Sequence, residues 1–367
     1  MPTVSDVVRY LKRFAPLDLA AEWDNVGLLL GDGRAPVRRI LTCLTLTAEV
    51  VDEAIASGVG LIVTHHPVLF RATQKLSSEQ RDGQLLLPLL KADIAVYSPH
   101  TAFDNTIGGI NDMLATRLGL IDVEPLRRKE AKASTCKLVV FVPEAEVETL
   151  SAALFEAGAG RIGDYRECSF RIPGTGTFHG GESTKPTIGQ KGQREEVAEL
   201  RLEVICPESA LSAVIAALRR THSYEEPAFD IYPLKSVPRI GEGRIGRLPQ
   251  PLTLRKFVAR VKKQLQVDTV EIVGDPTREV TKVALACGAA GEFLHDAQRQ
   301  HADLFLTGEM RFHDYLSAQS QKIALVLPGH YATERFALEE LALLLGKEFP
   351  DVSASASMRE QSPSTWL

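Results

Sequence analysis

The chain has 367 residues, 44% hydrophobic and 24% charged, the balance of an ordinary soluble globular protein with material for roughly two or three domains. A net charge of −5 argues against a nucleic-acid partner, which would want a basic face. No apolar run reaches the length of a membrane span.

Val4–Phe14 carries apolar residues at 4, 7, 8, 11 and 14, which predicts a helix. The opening MPTVSDVVRYLKRF lacks the continuous apolar core of a signal peptide. Ala21–Gly27 reads most simply as a loop leading into a buried strand at Leu28–Leu30. The alternative is a pocket-lining loop, with Trp23 as wall and Asp24 or Asn25 as polar contacts. A strand over Arg39–Leu46, a helix over Ala48–Ser57 and a strand over Gly60–Thr64 make a βαβ unit, so these strands should be parallel. The second strand runs into His65 and His66, and Pro67 stops it because proline has no N–H to give. The histidine pair either caps the strand or ligates a metal. A short helix at Leu85–Lys91 precedes a strand at Ile94–Tyr97, which delivers His100, with Asp104 four residues on. A helix follows from about Asn111 to Leu118.

From about residue 129 to 238 the character changes. A strand at 136–143, a helix ending at Gly158–Gly160, a strand at Glu199–Ile205, a helix at Ser209–Arg220 and a strand from Ala228 follow the ferredoxin-like β-α-β…β-α-β pattern. This predicts an α+β module inserted between outer segments 1–128 and 239–367. The run 163–192, rich in Gly, Pro, Ser and Thr, reads as a loop. His179 and the stretch His222–Pro227 (HSYEEP) read as solvated turns, with a ligand or subunit-contact role as the alternative.

Gly241–Leu248 (GEGRIGRL) reads as a glycine-punctuated link. A helix at Thr253–Leu265, strands at Val270–Val273 and Lys282–Ala286, a helix at Glu292–Arg299 and a strand at Ala302–Leu306 come next. A helix from Phe312 has His313 in its first turn. A strand at Ile323–Leu327 delivers His330, with Glu334 four residues on and a helix to Leu345. The five cysteines are scattered, odd in number and without a CxxC, which fits a reducing cytoplasm.

The chain repeats itself weakly. Ile40–Pro67 aligns with Val283–Met310 without a gap, strand on strand and helix on helix. In each outer segment the next strand ends in a histidine with a carboxylate four residues later, a spacing that lets a helix present both groups to one side. The fold expected is therefore α/β, with two similar halves packed around a cleft. That cleft would hold His65, His66, His100, Asp104, His330 and Glu334. Imidazole with carboxylate suits zinc, iron(II), manganese or nickel, and six ligands exceed what one structural zinc needs. Two divalent ions with a bridging carboxylate is the economical arrangement.

At these residues the chain resembles the Ngg-interacting-factor-three-like proteins, labelled GTP cyclohydrolase I type 2 homologues. The resemblance rests on EWDNVG, THHP, HTAFDN, HSYEEP, TGEMRFH and GHYATE, and it covers essentially the whole chain. It implies a dinuclear site on His65, His66, Asp104, His330 and Glu334, with Glu334 as the bridge and His100 as a further ligand or an outer partner. It also implies a PII-like insert and a toroidal homohexamer. The chain departs from the family pattern at Thr45, in CGAAG (Cys287–Gly291), at Glu309 and at Ser223.

The function expected is a cytoplasmic metal-dependent hydrolase, the metals lowering the pKa of a water and polarising the bond attacked. His100 or His313 would move protons. The family label implies GTP as substrate, opened at its guanine ring. The rival readings are a non-enzymatic metal-binding or regulatory scaffold, and a two-metal phosphoesterase or amidohydrolase acting on another small molecule.

Overall fold

Parallel strands covered on both faces are near-continuous apolar runs, and four short runs here fit that pattern. Leu61–Thr64, Ala95–Ser98, Leu304–Leu306 and Ala324–Leu327 are buried at every position. A computed structural model describes residues 1–129, 135–234 and 240–365. It divides into two compact units, Met1–Lys129 with Arg239–Leu367, and Glu130–Pro238.

The first unit holds two mixed sheets. One runs, edge to edge, Gly27–Leu30, Ala95–Ser98, Leu61–Thr64, Arg39–Cys43 and Ser353–Ala356. Its last four strands are parallel, and Gly27–Leu30 is antiparallel to its neighbour. The other sheet runs Glu271–Val273, Ala324–Leu327, Leu304–Leu306, Glu279–Leu285, Gly241–Thr253 and Ile121–Arg128. Its three central strands, from Ala324–Leu327 to Glu279–Leu285, are parallel, and the others run antiparallel to their neighbours. The helix Ala48–Ala56, N-capped by Thr47, connects the first βαβ unit. The helix Leu294–Arg299 occupies the corresponding place in the second.

Two strands not expected from sequence exchange between the sheets. Ile121–Arg128, from the N-terminal segment, closes the second sheet. Ser353–Ala356, from the C-terminal segment, closes the first. The first contains Pro125 and four charged residues; the second is only Ser and Ala. Neither shows apolar alternation, so neither announces itself as a strand.

Gly241–Leu248 is not a link. It begins a strand of 13 residues, Gly241–Thr253, paired on both sides. Its glycines serve close approach: Gly243 has φ +58°, and a Cβ there would press on Leu285 O and Leu126. The predicted helix at Leu85–Lys91 begins earlier, at Arg81, and contains Pro88.

The second unit orders its strands Ser169–His179, Arg194–Pro207, Thr135–Pro143 and Phe229–Leu234, all antiparallel. The helices Val147–Glu156 and Leu211–Thr221 pack on one face over Leu138, Val140, Leu202 and Val204. The run 163–192 is therefore not all loop. Its strand Ser169–His179 pairs residue by residue with Val204–Arg194. Most of its side chains are exposed, so the composition looked like a loop's. His222 is not a solvated turn residue either. It is buried, its Nε2 lies 2.9 Å from Phe141 O, and its Nδ1 accepts from Tyr224 N. His179 is exposed.

Candidate metal centre

Strand ends bring the histidines together. His65 N and His66 N donate to Cys43 O and Leu44 O at 2.9 and 2.8 Å, extending the parallel pairing past the formal strand. Ser98 Oγ donates to His65 O at 2.7 Å, so the neighbouring strand fixes the same backbone. His100 opens the short helix His100–Asn105 and has φ +30°, a sparsely populated conformation for a histidine. His330 opens the short helix His330–Glu334.

The four imidazoles form a continuous row. Ring centroids are 5.1 Å apart for His100 and His65, 5.2 Å for His65 and His66, and 5.3 Å for His66 and His330. Two groups of potential ligand atoms lie within 4.8 Å of one another, His65 with His66 and His100, and His66 with His330 and Glu334. His66 belongs to both. Glu334 Oε2 lies 3.1 Å from Nε2 of His66 and 3.1 Å from Nε2 of His330. Asp104 Oδ1 lies 3.5 Å from His65 Nε2, too far for a strong bond.

His65 is the informative member. It is fully buried, and neither ring nitrogen has a hydrogen-bond partner among the described residues. A core histidine normally satisfies both nitrogens, since an unpaired buried polar group costs about 1–3 kcal/mol. Burial also drives its pKa well below the ordinary histidine value. It is therefore a neutral imidazole with a free lone pair, the form that ligates a metal.

The carboxylates respond oppositely. Burial, followed by the charge of Glu334, raises Asp104 above the usual carboxylate range. Burial also acts to raise Glu334, but the bonds from His330 and His66 outweigh it and hold Glu334 well below that range. Burial opposes protonation of His330, yet Glu334 and then Glu309 push it up to about 9.

A layer of outer contacts aims these groups. His100 Nδ1 lies 2.7 Å from Asp24 Oδ1, and Asp24 also accepts from Thr101 N and Oγ1. Thr45 Oγ1 lies 2.7 Å from His66 Nδ1, and Glu309 Oε1 lies 2.9 Å from His330 Nδ1. In each case one ring nitrogen is anchored and the other turned inward, as metal-ligating histidines require. Cys287 Sγ lies 3.2 Å from Asp104 Oδ1. Asn111 accepts from Cys287 N and donates to Asp104 O. Gly288 has φ +65°, and a Cβ there would collide with Glu334 Oε1.

Of the residues picked out in the sequence, His65, His66, His100, Asp104, His330 and Glu334 converge here. His313 does not. It is exposed at the start of the helix Phe312–Ser320 and lines no part of the cavity. The same stretch contributes Glu309 instead. The loop at Ala21–Gly27 takes its alternative reading, since Trp23 lines the cavity and Asp24 anchors His100. The EWDNVG stretch was the available signal for Asp24, whereas nothing in the sequence singled out Asn111.

The row of imidazoles sits in a cavity of about 680 Å³. Trp23 and Phe70 are both half-exposed or more and meet at 5.8 Å in a tilted, edge-on contact along its wall. Arg71 and Arg81 also line it, and neither makes an ion pair or side-chain hydrogen bond among the described residues.

The model for the family Duf34/NIF3 (NGG1p interacting factor 3) matches residues 2–363. The chain belongs to this family. Two relatives called "GTP cyclohydrolase 1 type 2 homolog" are close in sequence. The one from Halalkalibacterium halodurans is 38% identical over 365 residues, 98% of each chain. The one from Bacillus subtilis is 40% identical over 327 residues, 89% of this chain and 87% of the relative. Among solved structures, a Bacillus cereus protein related to NIF3 matches with a TM-score of 0.77 at 35% identity, covering 100% of this chain and 99% of the other. Staphylococcus aureus protein SA1388 matches with a TM-score of 0.83 at 28% identity and the same coverage. The family's α/β fold is the fold of this chain. Among the described residues, no helix is long and apolar enough to cross a membrane.

Proposed function

We propose that this family member is a dinuclear divalent-metal protein with hydrolase-type chemistry, built from two α/β halves around a metal cleft. The observation that carries this is His65, a buried neutral imidazole with neither nitrogen partnered among the described residues, beside the imidazoles of His66 and His100 and the carboxylate of Asp104. His65, His66, Asp104, His330 and Glu334 would hold the ions, with Glu334 between His66 and His330 suited to bridge. His100, turned inward by Asp24, is the sixth donor. The nitrogen and oxygen set fits zinc, iron(II) or manganese. When bound, such ions lower the pKa of a water and polarise the bond under attack.

The chain's own groups supply the rest. Asp24 and Glu309 hold the imidazoles of His100 and His330 in orientation, so little reorganisation is needed on loading. Trp23 and Phe70 offer stacking faces, and Arg71 and Arg81 offer unpaired positive charge to an anionic group. This wall supports a planar aromatic substrate carrying phosphate. GTP, which the relatives' name mentions, is the first to test.

The second unit supports a ferredoxin-like, PII-like insert, by its β-α-β-β-α-β succession and strand order. Its separate core favours a second reading, a scaffold in which this unit senses a small molecule. The cytoplasmic, homohexameric state implied by resemblance is part of the leading proposal.

The test is metal analysis of purified protein, followed by GTP turnover in wild type, His65→Ala and Glu334→Ala. The proposal expects close to two ions per chain, loss of metal in both variants without unfolding, and turnover only in loaded wild type. Far less than one ion per chain after adding zinc, iron or manganese would sink the site. A loaded protein that leaves GTP and other phosphorylated nucleosides unchanged favours the scaffold.

A further inference from the structure

The C-terminal segment contributes no ligand, yet it reaches the backbone behind two of them. After the strand Ser353–Ala356, Ser357 N donates to Thr42 O at 2.8 Å, and Arg335 Nη2 donates to Ser357 O at 2.7 Å. Three residues on, Glu360 is buried. Its carboxylate accepts from Leu44 N at 2.9 Å and Thr45 N at 2.6 Å, and pairs with Arg335 Nε at 2.9 Å.

Both partners lead into the metal cluster. Thr45 places its hydroxyl 2.7 Å from His66 Nδ1. Arg335 directly follows Glu334 and caps the end of the short helix that opens with His330. One buried carboxylate therefore ties the loop that aims His66 to the residue behind Glu334. His66 and Glu334 have no covalent reason to stay together, being 268 positions apart.

A carboxylate is expensive to bury unless its oxygens are partnered. The two amides use different oxygens of Glu360, so each oxygen accepts one backbone N–H. Its negative charge also serves the third contact, to Arg335, which is the one that reaches the Glu334 side.

We propose that Glu360 is a positioning residue for the metal cluster, setting the spacing of His66 and Glu334 from outside the cavity. The inference rests on the metal reading of the site above. It assigns a role to a tail that offers no motif in the sequence.

The test compares wild type with Glu360→Gln, which keeps the shape, removes the charge and replaces one of the two accepting oxygens by an NH2 group. Cobalt(II) is titrated into metal-free full-length protein, and its absorption bands and affinity are read. In parallel, ¹⁵N shifts of the His66 ring are recorded without metal. The expected result is cobalt affinity lower by about 10-fold or more, the range seen for outer partners of metal ligands. The cobalt bands should shift, and the His66 tautomer balance should change. Unchanged bands, affinity and ring shifts would overturn the proposal, even if the melting temperature falls, because that is the pattern of a purely structural contact. Should Glu360→Gln fail to fold, Arg335→Met cuts the link to the Glu334 side, together with the bond to Ser357 O, leaves Glu360 on the Leu44 and Thr45 amides, and carries the same expectations. Wild type that takes up no cobalt would refute the metal reading instead, and the His66 ring shifts then decide the role of Glu360 alone.

Discussion

His66 and Glu334 are 268 positions apart in the chain, and Nε2 of one meets Oε2 of the other at 3.1 Å. The same carboxylate oxygen is 3.1 Å from His330 Nε2. Glu334 is thus the group on which both sides of the site depend. Glu334→Gln keeps its volume and removes the negative charge. If Glu334 is the proposed direct ligand, metal affinity should fall by more than the about 10–100-fold that outer partners are worth. Metal analysis after dialysis checks this, with circular dichroism confirming the fold. Full stoichiometry in the variant would remove Glu334 from the ligand set.

His65 permits a test of the opposite sign. Its unpaired nitrogens destabilise the metal-free chain, because they are buried without partners. His65→Leu replaces them with an apolar group of comparable size. The metal-free variant should be as stable as wild type or more stable, by up to about 1–3 kcal/mol, while metal uptake is lost. Urea unfolding of both metal-free proteins measures this. A marked loss of stability would mean that His65 is an ordinary core histidine.

The legible part of this site was the part carried by strand ends. His65, His66, His100 and His330 each follow an apolar strand that sequence periodicity marks, and the two carboxylates follow at helical spacing. The contacts that aim these groups were not legible, because they join distant segments. Thr45 to His66, Asp24 to His100 and Glu360 to Thr45 are set by which strand lies beside which. That order depends on Ile121–Arg128 and Ser353–Ala356 crossing between sheets, and neither strand has the apolar pattern that would announce it. His313 failed for a related reason. A histidine at a helix start looks poised, but the turn before it brings the exposed Glu309 to His330 Nδ1 and leaves His313 in solvent.

Thr45 is a neutral partner for His66, a ligand in the proposed metal site. Its hydroxyl can accept a proton from His66 Nδ1 or donate one, so it orients the ring without adding negative charge. Thr45→Val removes that bond and keeps the shape. Metal affinity should drop by about 10–100-fold. Thr45→Asp should raise it, since a carboxylate makes the ring a stronger donor. Competition titration against a chelator ranks the three proteins, and an unchanged order would leave His66 without need of this contact.

In the proposed site, His330 should make metal uptake pH-dependent. In the metal-free chain it is raised to about 9, against the effect of burial, by Glu334 and then Glu309. Its proton must leave before Nε2 can bind a cation. Loading at pH 7 should therefore release a proton from this site, and affinity should climb with pH until about 9 and then level off. The sign reverses for stability without metal. A raised folded-state pKa stabilises the fold below the unfolded value and loses that contribution as pH rises through the folded one. Metal-free protein should melt at lower temperature at pH 9 than at pH 6.5. Calorimetry in buffers of different ionisation enthalpy counts the protons, and a zero count at pH 7 would contradict the charged state of His330.

Arg244 holds the backbone behind Asp104. It is 2% exposed, pairs with Asp112, and donates to the carbonyls of Gly241, Gly243, Asn105 and Thr106. Asn105 and Thr106 are the two residues that follow Asp104, so this one guanidinium joins the strand Gly241–Thr253 to the short helix carrying a ligand. Arg244→Met fills much of the space but leaves four carbonyls and a carboxylate short of a donor. Asp112 is only part-buried, so breaking this pair costs toward the lower end of the about 3–5 kcal/mol of a fully buried one. The variant should show that loss in urea unfolding, and metal should add less stability to it than to wild type, because Asp104 is no longer held in place. If the metal increment is the same in both proteins, Arg244 supports the fold and leaves Asp104 where it was.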